Sequence, residues 1–180
     1  MSIKAELTEN QIKIWEEDDA REIHDEKYYG KIMDDGTLEL SLSEGMSLLE
    51  REEITLIYDE NQLSKEEAHK EFSSRDSEFD EKYEVYKDLR QRGYIVKTGF
   101  KFGTHFRVYD RGVNPYEQGS KSNREHTKWV VHAVTQDNKM GYEQLSRAVR
   151  LAQNIRAKML WGVVDSEKNV TYYETRRITP

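Results

Sequence analysis

A chain of 180 residues can hold one medium domain or two small ones and leaves no room for a large multidomain enzyme. It has no cysteine, which excludes disulfides and thiolate metal sites, and no apolar run approaches a membrane span or signal peptide, so a soluble cytoplasmic protein is expected. The formal net charge of −7 hides a division: residues 1–86 hold 10 Lys+Arg and 26 Asp+Glu, net −16, whereas residues 87–180 hold 18 and 9, net +9.

Residues 11–15 (QIKIW) and 37–42 (TLELSL) alternate apolar and polar side chains with the strand period. Ser41 and Glu44 have capping-box spacing ahead of Met46, Leu48 and Leu49, which predicts a short helix. Ile54 to Tyr58 reads as another strand. Ser64 and Glu67 repeat the capping-box spacing and open a charged helical region, with residues 73–77 (SSRDS) as its candidate break. Phe79, Tyr83, Tyr86 and then Leu89 or Arg90 follow helical spacing until Gly93 supplies a C-terminal stop. The expected division is an N-terminal α/β domain over 1–75, a helical connection over 76–93 and a C-terminal domain over 94–180.

From Tyr94 the pattern changes to strands: YIVKTG, FKFGTHFRVYD and TKWVVHAV, with Gly99 and Gly103 as turn or bulge points. A polar segment over 110–125 links two of them. A helix over about 142–155 is expected to bury Leu145, Val149 and Ala152, after which MLWGVVD and NVTYYETRRI form a hairpin around SEKN. The fold class is α+β.

Three segments concentrate the chemistry: RVYDRG at 107–112, REHTKWVVHAV at 124–134 and RLAQNIRAKMLWGVVD at 150–165. Together they hold Tyr109, His126 and a basic cluster around Lys158. A tyrosine, a histidine and a lysine brought together can cleave RNA without a metal: a phenolate takes a proton, an imidazolium gives one, and an ammonium neutralises the crowded phosphorane. Tyr109 stands beside Arg107, Asp110 and Arg111, where a nearby guanidinium favours a phenolate, and an imidazole titrates near neutrality. The basic second half attracts a polyanion that the acidic first half repels. Taken singly, each of these side chains is more often a packing or solvated residue; the surrounding sequence changes that weighting.

Through YKDLRQRGYIVKTGFKFGTHFRVYDRG, EHTKWVVHAV and the RLAQNIR helix end with its following strand, the chain closely resembles the archaeal tRNA-splicing (tRNA-intron) endonuclease family. Weaker similarity reaches back through KYYGK and LELSLSEGMSLLER. The resemblance implies a small mixed N-terminal domain, then a restriction-endonuclease-like catalytic domain with helices packed on a central mixed β-sheet. It also implies cleavage of precursor tRNA at intron boundaries within a bulge-helix-bulge motif, leaving 2′,3′-cyclic phosphate and 5′-hydroxyl ends, with no metal or other cofactor.

On this resemblance Tyr109 is the general base for the ribose 2′-hydroxyl and His126 the general acid for the departing 5′-oxygen. His126 is chosen over His132 because the family histidine stands just before the apolar run; His132, His105, His24 and His69 are read as packing or surface residues. The family lysine lies in a pattern like H-S-V-R-K-K-L. Here the run is Gln153, Asn154, Ile155, Arg156, Ala157, Lys158, Met159, which sets Ala157 on the lysine and Lys158 on its neighbour. Recruiting Lys158 as a substitute requires a one-residue shift, which on a strand reverses the side chain's direction.

Arg150 matches a family arginine that stacks on a bulge base, with Arg176 or Arg177 as the second side of the sandwich. Lys121 and Arg124 are candidate phosphate contacts in the 110–125 segment. Asp165 and Glu167 match an acidic turn that docks a neighbouring subunit. Assembly into a homo-oligomer, a tetramer, or a hetero-oligomer with a related subunit is expected, because two splice junctions need two sites. A non-catalytic structural subunit of the same enzyme is the alternative. A metal-dependent nuclease ranks below both, since no Glu-x-Lys follows a credible strand.

Overall fold

The computed structural model describes residues 2–99, 103–117 and 126–180, and the chain divides into two compact units after Tyr83, inside a helix over Phe79–Gln91. In the first unit, β1 (Ile3–Leu7), β2 (Ile12–Ile14), β3 (Lys31–Ile32), β4 (Leu38–Leu40), β5 (Ile54–Tyr58) and β6 (Asn61–Gln62) form a sheet in the order β3-β4-β2-β1-β5-β6. β1 buries Ile3, Ala5 and Leu7 and exposes Lys4 and Glu6, the alternation of a one-sided strand. It precedes the first strand expected from the sequence, although it carries the same period-two signal. β1 runs parallel to β5, with Ile3 opposite Ile54, and every other pairing in this sheet is antiparallel.

Both expected capping boxes form. Ser41 caps α2 (Leu42–Glu50) and Ser64 caps α3 (Lys65–Arg75), each bonded reciprocally to the glutamate three residues on. α3 ends at Arg75, inside the SSRDS stretch. The structure also forms α1 (Glu17–Arg21), which continues as a π-helical turn over Glu22–Glu26. Its sequence is almost wholly charged and buries only Ala20 and Ile23, too little apolar periodicity to be read in advance.

The second unit carries a five-stranded mixed sheet. β7 (Ile95–Thr98), β8 (Phe106–Tyr109), β9 (Trp129–Thr135), β10 (Lys158–Val164) and β11 (Val170–Thr175) lie in the order β11-β10-β9-β8-β7. Only β9 and β10 are parallel; the intervening helix α5 (Tyr142–Asn154) makes the crossover that parallel neighbours require. On one face lies the second half of α4 (Phe79–Gln91), with Val85, Tyr86 and Leu89 buried. A Cβ at Gly162 of β10 would stand 2.7 Å from Val85 Cγ2, so the absence of a side chain there lets helix and sheet approach.

α5 covers the other face. Ala148, Val149 and Ala152 pack with Val130, Ala157, Met159 and Trp161, and Leu145, expected in this core, is only half-buried at its edge. β10 and β11 form the expected hairpin, with Val164 opposite Val170.

Candidate functional site

Tyr109 is the last residue of β8, while Trp129 and Lys158 open β9 and β10. The Lys128 amide donates to the Val108 carbonyl at 2.7 Å, and the Lys158 amide donates to the Lys128 carbonyl at 3.1 Å. The end of β8 therefore lies beside the entries to β9 and β10. Tyr109, the segment carrying His126 and the junction at Ala157 gather at one end of the sheet. His126 is half-buried and stands two residues before Lys128. The Lys128 ammonium donates to Asp110 at 3.0 Å and lies over the rings of Trp129, at 4.6 Å, and Tyr94. This links the stretch that follows His126 to the residue that follows Tyr109. The Lys128 hydrogen bond, seconded by the Arg111 amide, holds the Asp110 carboxyl below the usual carboxylate range.

Register decides which side chains share a face. Arg107 is opposite Val130, and Val130 is opposite Met159. Tyr109 and Ala157 lie two residues along from Arg107 and Met159, so all five occupy the α5 side. Ala157 is only 8% exposed within the apolar cluster under α5. Lys158 belongs to the other set: it pairs with Trp129, which pairs with Val108, and its ammonium is 3.4 Å from Glu174. This placement weighs against Lys158 standing in for the lysine. Strand parity aims it away from Tyr109, and an ion pair engages it there.

The local fold around Ala157 is a helix stop. Arg156 has φ of +58°, and the Arg156 and Ala157 amides donate to the Gln153 and Ala152 carbonyls at 3.0 and 2.9 Å. This is the Schellman pattern, with an arginine where glycine is usual. Ala157 then contributes the apolar contact that accompanies it. A longer side chain at 157 would run its stem along this apolar floor with its tip free to leave it.

Tyr109 is buried, and its hydroxyl receives a hydrogen bond from Arg107 Nη1 at 3.4 Å. Sequence reasoning noted the guanidinium but not its anchoring: Arg107 Nε donates to the Thr98 carbonyl at 3.0 Å. Lys97, opposite Arg107 on β7, shares that face and is buried, with its ammonium donating to the Tyr116 hydroxyl. The x-K-x pattern within an edge strand gives no sign of that burial.

Arg150 is exposed on α5, and Arg176 and Arg177 are exposed beyond the end of β11. Lys121 and Arg124 lie outside the described residues. In the β10–β11 turn Glu167 is exposed, but Asp165 is committed to the turn itself: its carboxylate accepts the Glu167 and Asn169 amides, both at 2.9 Å, and the Asn169 side chain at 3.3 Å. The Asn169 amide is the chief cause holding that carboxyl below its ordinary range. His132 stacks on Trp161, His105 accepts the Ala133 amide at 3.0 Å, and His24 and His69 pair with Asp25 and Asp80.

Among the described residues no three His, Asp or Glu side chains converge as a metal-binding group, and no helix is long and apolar enough to cross a membrane. Residues 79–172 match the family model described as tRNA intron endonuclease, catalytic C-terminal domain, and residues 3–68 match the tRNA intron endonuclease, N-terminal domain. The chain is 40% identical over 152 residues to the tRNA-splicing endonuclease of Thermococcus kodakarensis, covering 84% of each chain. It is 36% identical over 180 residues to that of Methanothermobacter thermautotrophicus, covering all of both. To the tRNA-splicing endonuclease of Nanoarchaeum equitans it is 40% identical over 129 residues, 72% of this chain and 83% of that one. With both of its halves matched, and with relatives aligned over most of their length, the chain belongs to the tRNA intron endonuclease family.

Proposed function

We propose that this chain is a tRNA-splicing endonuclease that cuts precursor tRNA at intron boundaries by attack of the ribose 2′-hydroxyl on the adjacent phosphate. The observation that carries the reading is the gathering of Tyr109, the His126 segment and position 157 at one sheet end, with Tyr109 and position 157 on one face. Tyr109 takes the proton of the 2′-hydroxyl as O2′ bonds to phosphorus. His126 gives a proton to the 5′-oxygen as its bond to phosphorus breaks. The products are a 2′,3′-cyclic phosphate and a 5′-hydroxyl, with no step assigned to a metal. Ala157 occupies the position whose ammonium would neutralise the phosphorane, so this chain turns over slowly.

Arg150, with Arg176 or Arg177, is assigned to the bulge bases, and Lys121 and Arg124 to phosphate. The bulge-helix-bulge carries two cuts, so the working unit is an oligomer, a homotetramer or a pairing with a related chain. A bulge-helix-bulge RNA incubated with the protein in EDTA tests the reading. It requires residual cleavage there, cyclic-phosphate ends, and no cleavage once the 2′-hydroxyl at the cut is replaced by hydrogen. Cleavage of the deoxy substrate, or dependence on added metal, overturns it. The alternative, a non-catalytic structural subunit, is favoured by Ala157 itself; RNA binding without any cleavage, restored by neither metal nor lysine at 157, would select it.

A further inference from the structure

We infer that Arg107 is a positioning residue for the reaction, acting through Tyr109; the inference rests on the proposed role of Tyr109 as the base. Three observations lead to it. The guanidinium is fixed at one edge, because Nε donates to the Thr98 carbonyl at 3.0 Å across the β7–β8 ladder. Its Nη1 then reaches the Tyr109 hydroxyl at 3.4 Å. Register places both side chains on the α5 side of the sheet, the side of position 157.

A guanidinium can only donate, so at this contact the phenol oxygen is the acceptor and its own hydrogen is directed elsewhere. That orientation leaves the phenol oxygen charge-assisted on the side of Arg107. A donor-only cation also stabilises the anionic oxygen more than the neutral one. The contact therefore gains strength at the moment Tyr109 is prepared to accept a proton. Lys97 shares the face and donates to Tyr116, on the segment that follows β8. With alanine at 157, the guanidinium anchored on Thr98 is a cation that the described part of this face supplies to the base.

The prediction separates a residue that acts through Tyr109 from one that grips the RNA. Single-turnover cleavage and RNA affinity are measured for wild type, Arg107→Gln, Arg107→Lys, Tyr109→Phe and Arg107→Gln/Tyr109→Phe, each on the chain as it stands and in the Ala157→Lys background. Loss of a charge-assisted hydrogen bond slows cleavage by roughly tenfold to a hundredfold in Arg107→Gln, with affinity unchanged within about threefold. Arg107→Lys recovers part of the rate, because it keeps the charge but not the fork. In the double variant Arg107→Gln adds no further loss to Tyr109→Phe.

Multiplying losses in the double variant, or a matching fall in affinity, would overturn the inference by showing a direct RNA contact. So would an Arg107→Gln rate equal to wild type while Tyr109→Phe is inactive. A fully active Tyr109→Phe would instead sink the reading of Tyr109 as the base, and the inference with it.

Discussion

The ammonium of Lys158 stands 3.4 Å from the carboxylate of Glu174, across β10 and β11 and on the sheet face away from Tyr109. Glu174 also accepts the indole N–H of Trp129 at 3.1 Å. The two contacts tie the first residues of β9 and β10 to Glu174 near the end of β11 and hold the lysine to the α4 side. Its neighbour Ala157 faces α5 with Tyr109.

It follows that the two positions respond differently to substitution. Ala157→Lys is expected to raise single-turnover cleavage of a bulge-helix-bulge RNA on the order of a hundredfold, the scale of one transition-state electrostatic donor. Lys158→Ala should change it by less than about threefold, as expected for an exposed ion pair. A large loss from Lys158→Ala would show that the lysine crosses to the reacting phosphate after all.

The two capping boxes look alike in sequence but should differ in energetic weight. Glu44 is buried, and its carboxylate accepts the Gly30 amide, the Ser41 amide and the Ser41 hydroxyl, each at 2.9 Å. Glu44→Ala strands the buried Gly30 amide and the half-buried Ser41 amide and should cost about 3 kcal/mol. Ser64→Ala removes one exposed cap and should cost about 1 kcal/mol. Urea midpoints of the two variants compare them, and equal losses would contradict the third role of Glu44 at Gly30.

The Tyr172 hydroxyl donates to Asp88 at 2.7 Å, and Arg92 binds the same carboxylate at 2.7 Å. Burial, with the Asp88 charge behind it, pushes the Tyr172 phenol far above its ordinary value of 10.0. The folded protein therefore keeps a proton that the unfolded chain releases above about pH 10. Stability from this group is complete below that pH and falls as pH rises beyond it. Thermal melts between pH 9 and 11.5, approximately the window that brackets a free phenol, should show a steep alkaline loss. Tyr172→Phe should lose about 1 kcal/mol at neutral pH and show a shallower alkaline limb. An unchanged limb would remove Tyr172 as its cause.

In the β10–β11 turn the two acidic residues should separate. Glu167 is exposed, so Glu167→Lys should dissociate an oligomer that docks through this turn while leaving the melting temperature of the chain unchanged. Asp165→Ala should lower the melting temperature, because its carboxylate accepts two amides and a side-chain amide of the turn. Light scattering with parallel melts decides it. A wild-type monomer at about micromolar concentration, weaker than a standard interface would hold together, or a Glu167→Lys oligomer of full mass, would remove the turn from assembly.

The helices with strong end signals were legible before any coordinates. Ser41, Glu44, Ser64 and Glu67 specify helix starts through bonds reaching only three residues, and Gly93, with φ of +88°, marks the stop after α4. The β10–β11 hairpin was legible for the same reason, its apolar runs being separated by a polar turn. β1 carries a readable alternation, with Ile3, Ala5 and Leu7 buried and Lys4 and Glu6 exposed, within a segment that is otherwise polar. α1 does not, because two buried side chains in an acidic run give no period.

The candidate site divides in the same way. The residue types at 109, 126 and 157 are properties of the sequence. Only the tertiary structure decides what those residues face, because face and proximity depend on register between strands far apart in the chain. Arg107 opposite Val130 and Val130 opposite Met159 set position 157 on the side of Tyr109 and Lys158 on the other. The 3.0 Å anchor of Arg107 on Thr98 likewise bridges two strands, and the buried Lys97 lies over the ring of Tyr116, distant in the chain. Sequence fixes local geometry where a hydrogen bond closes within one turn; which side chains share a face is decided by the ladder that joins distant segments.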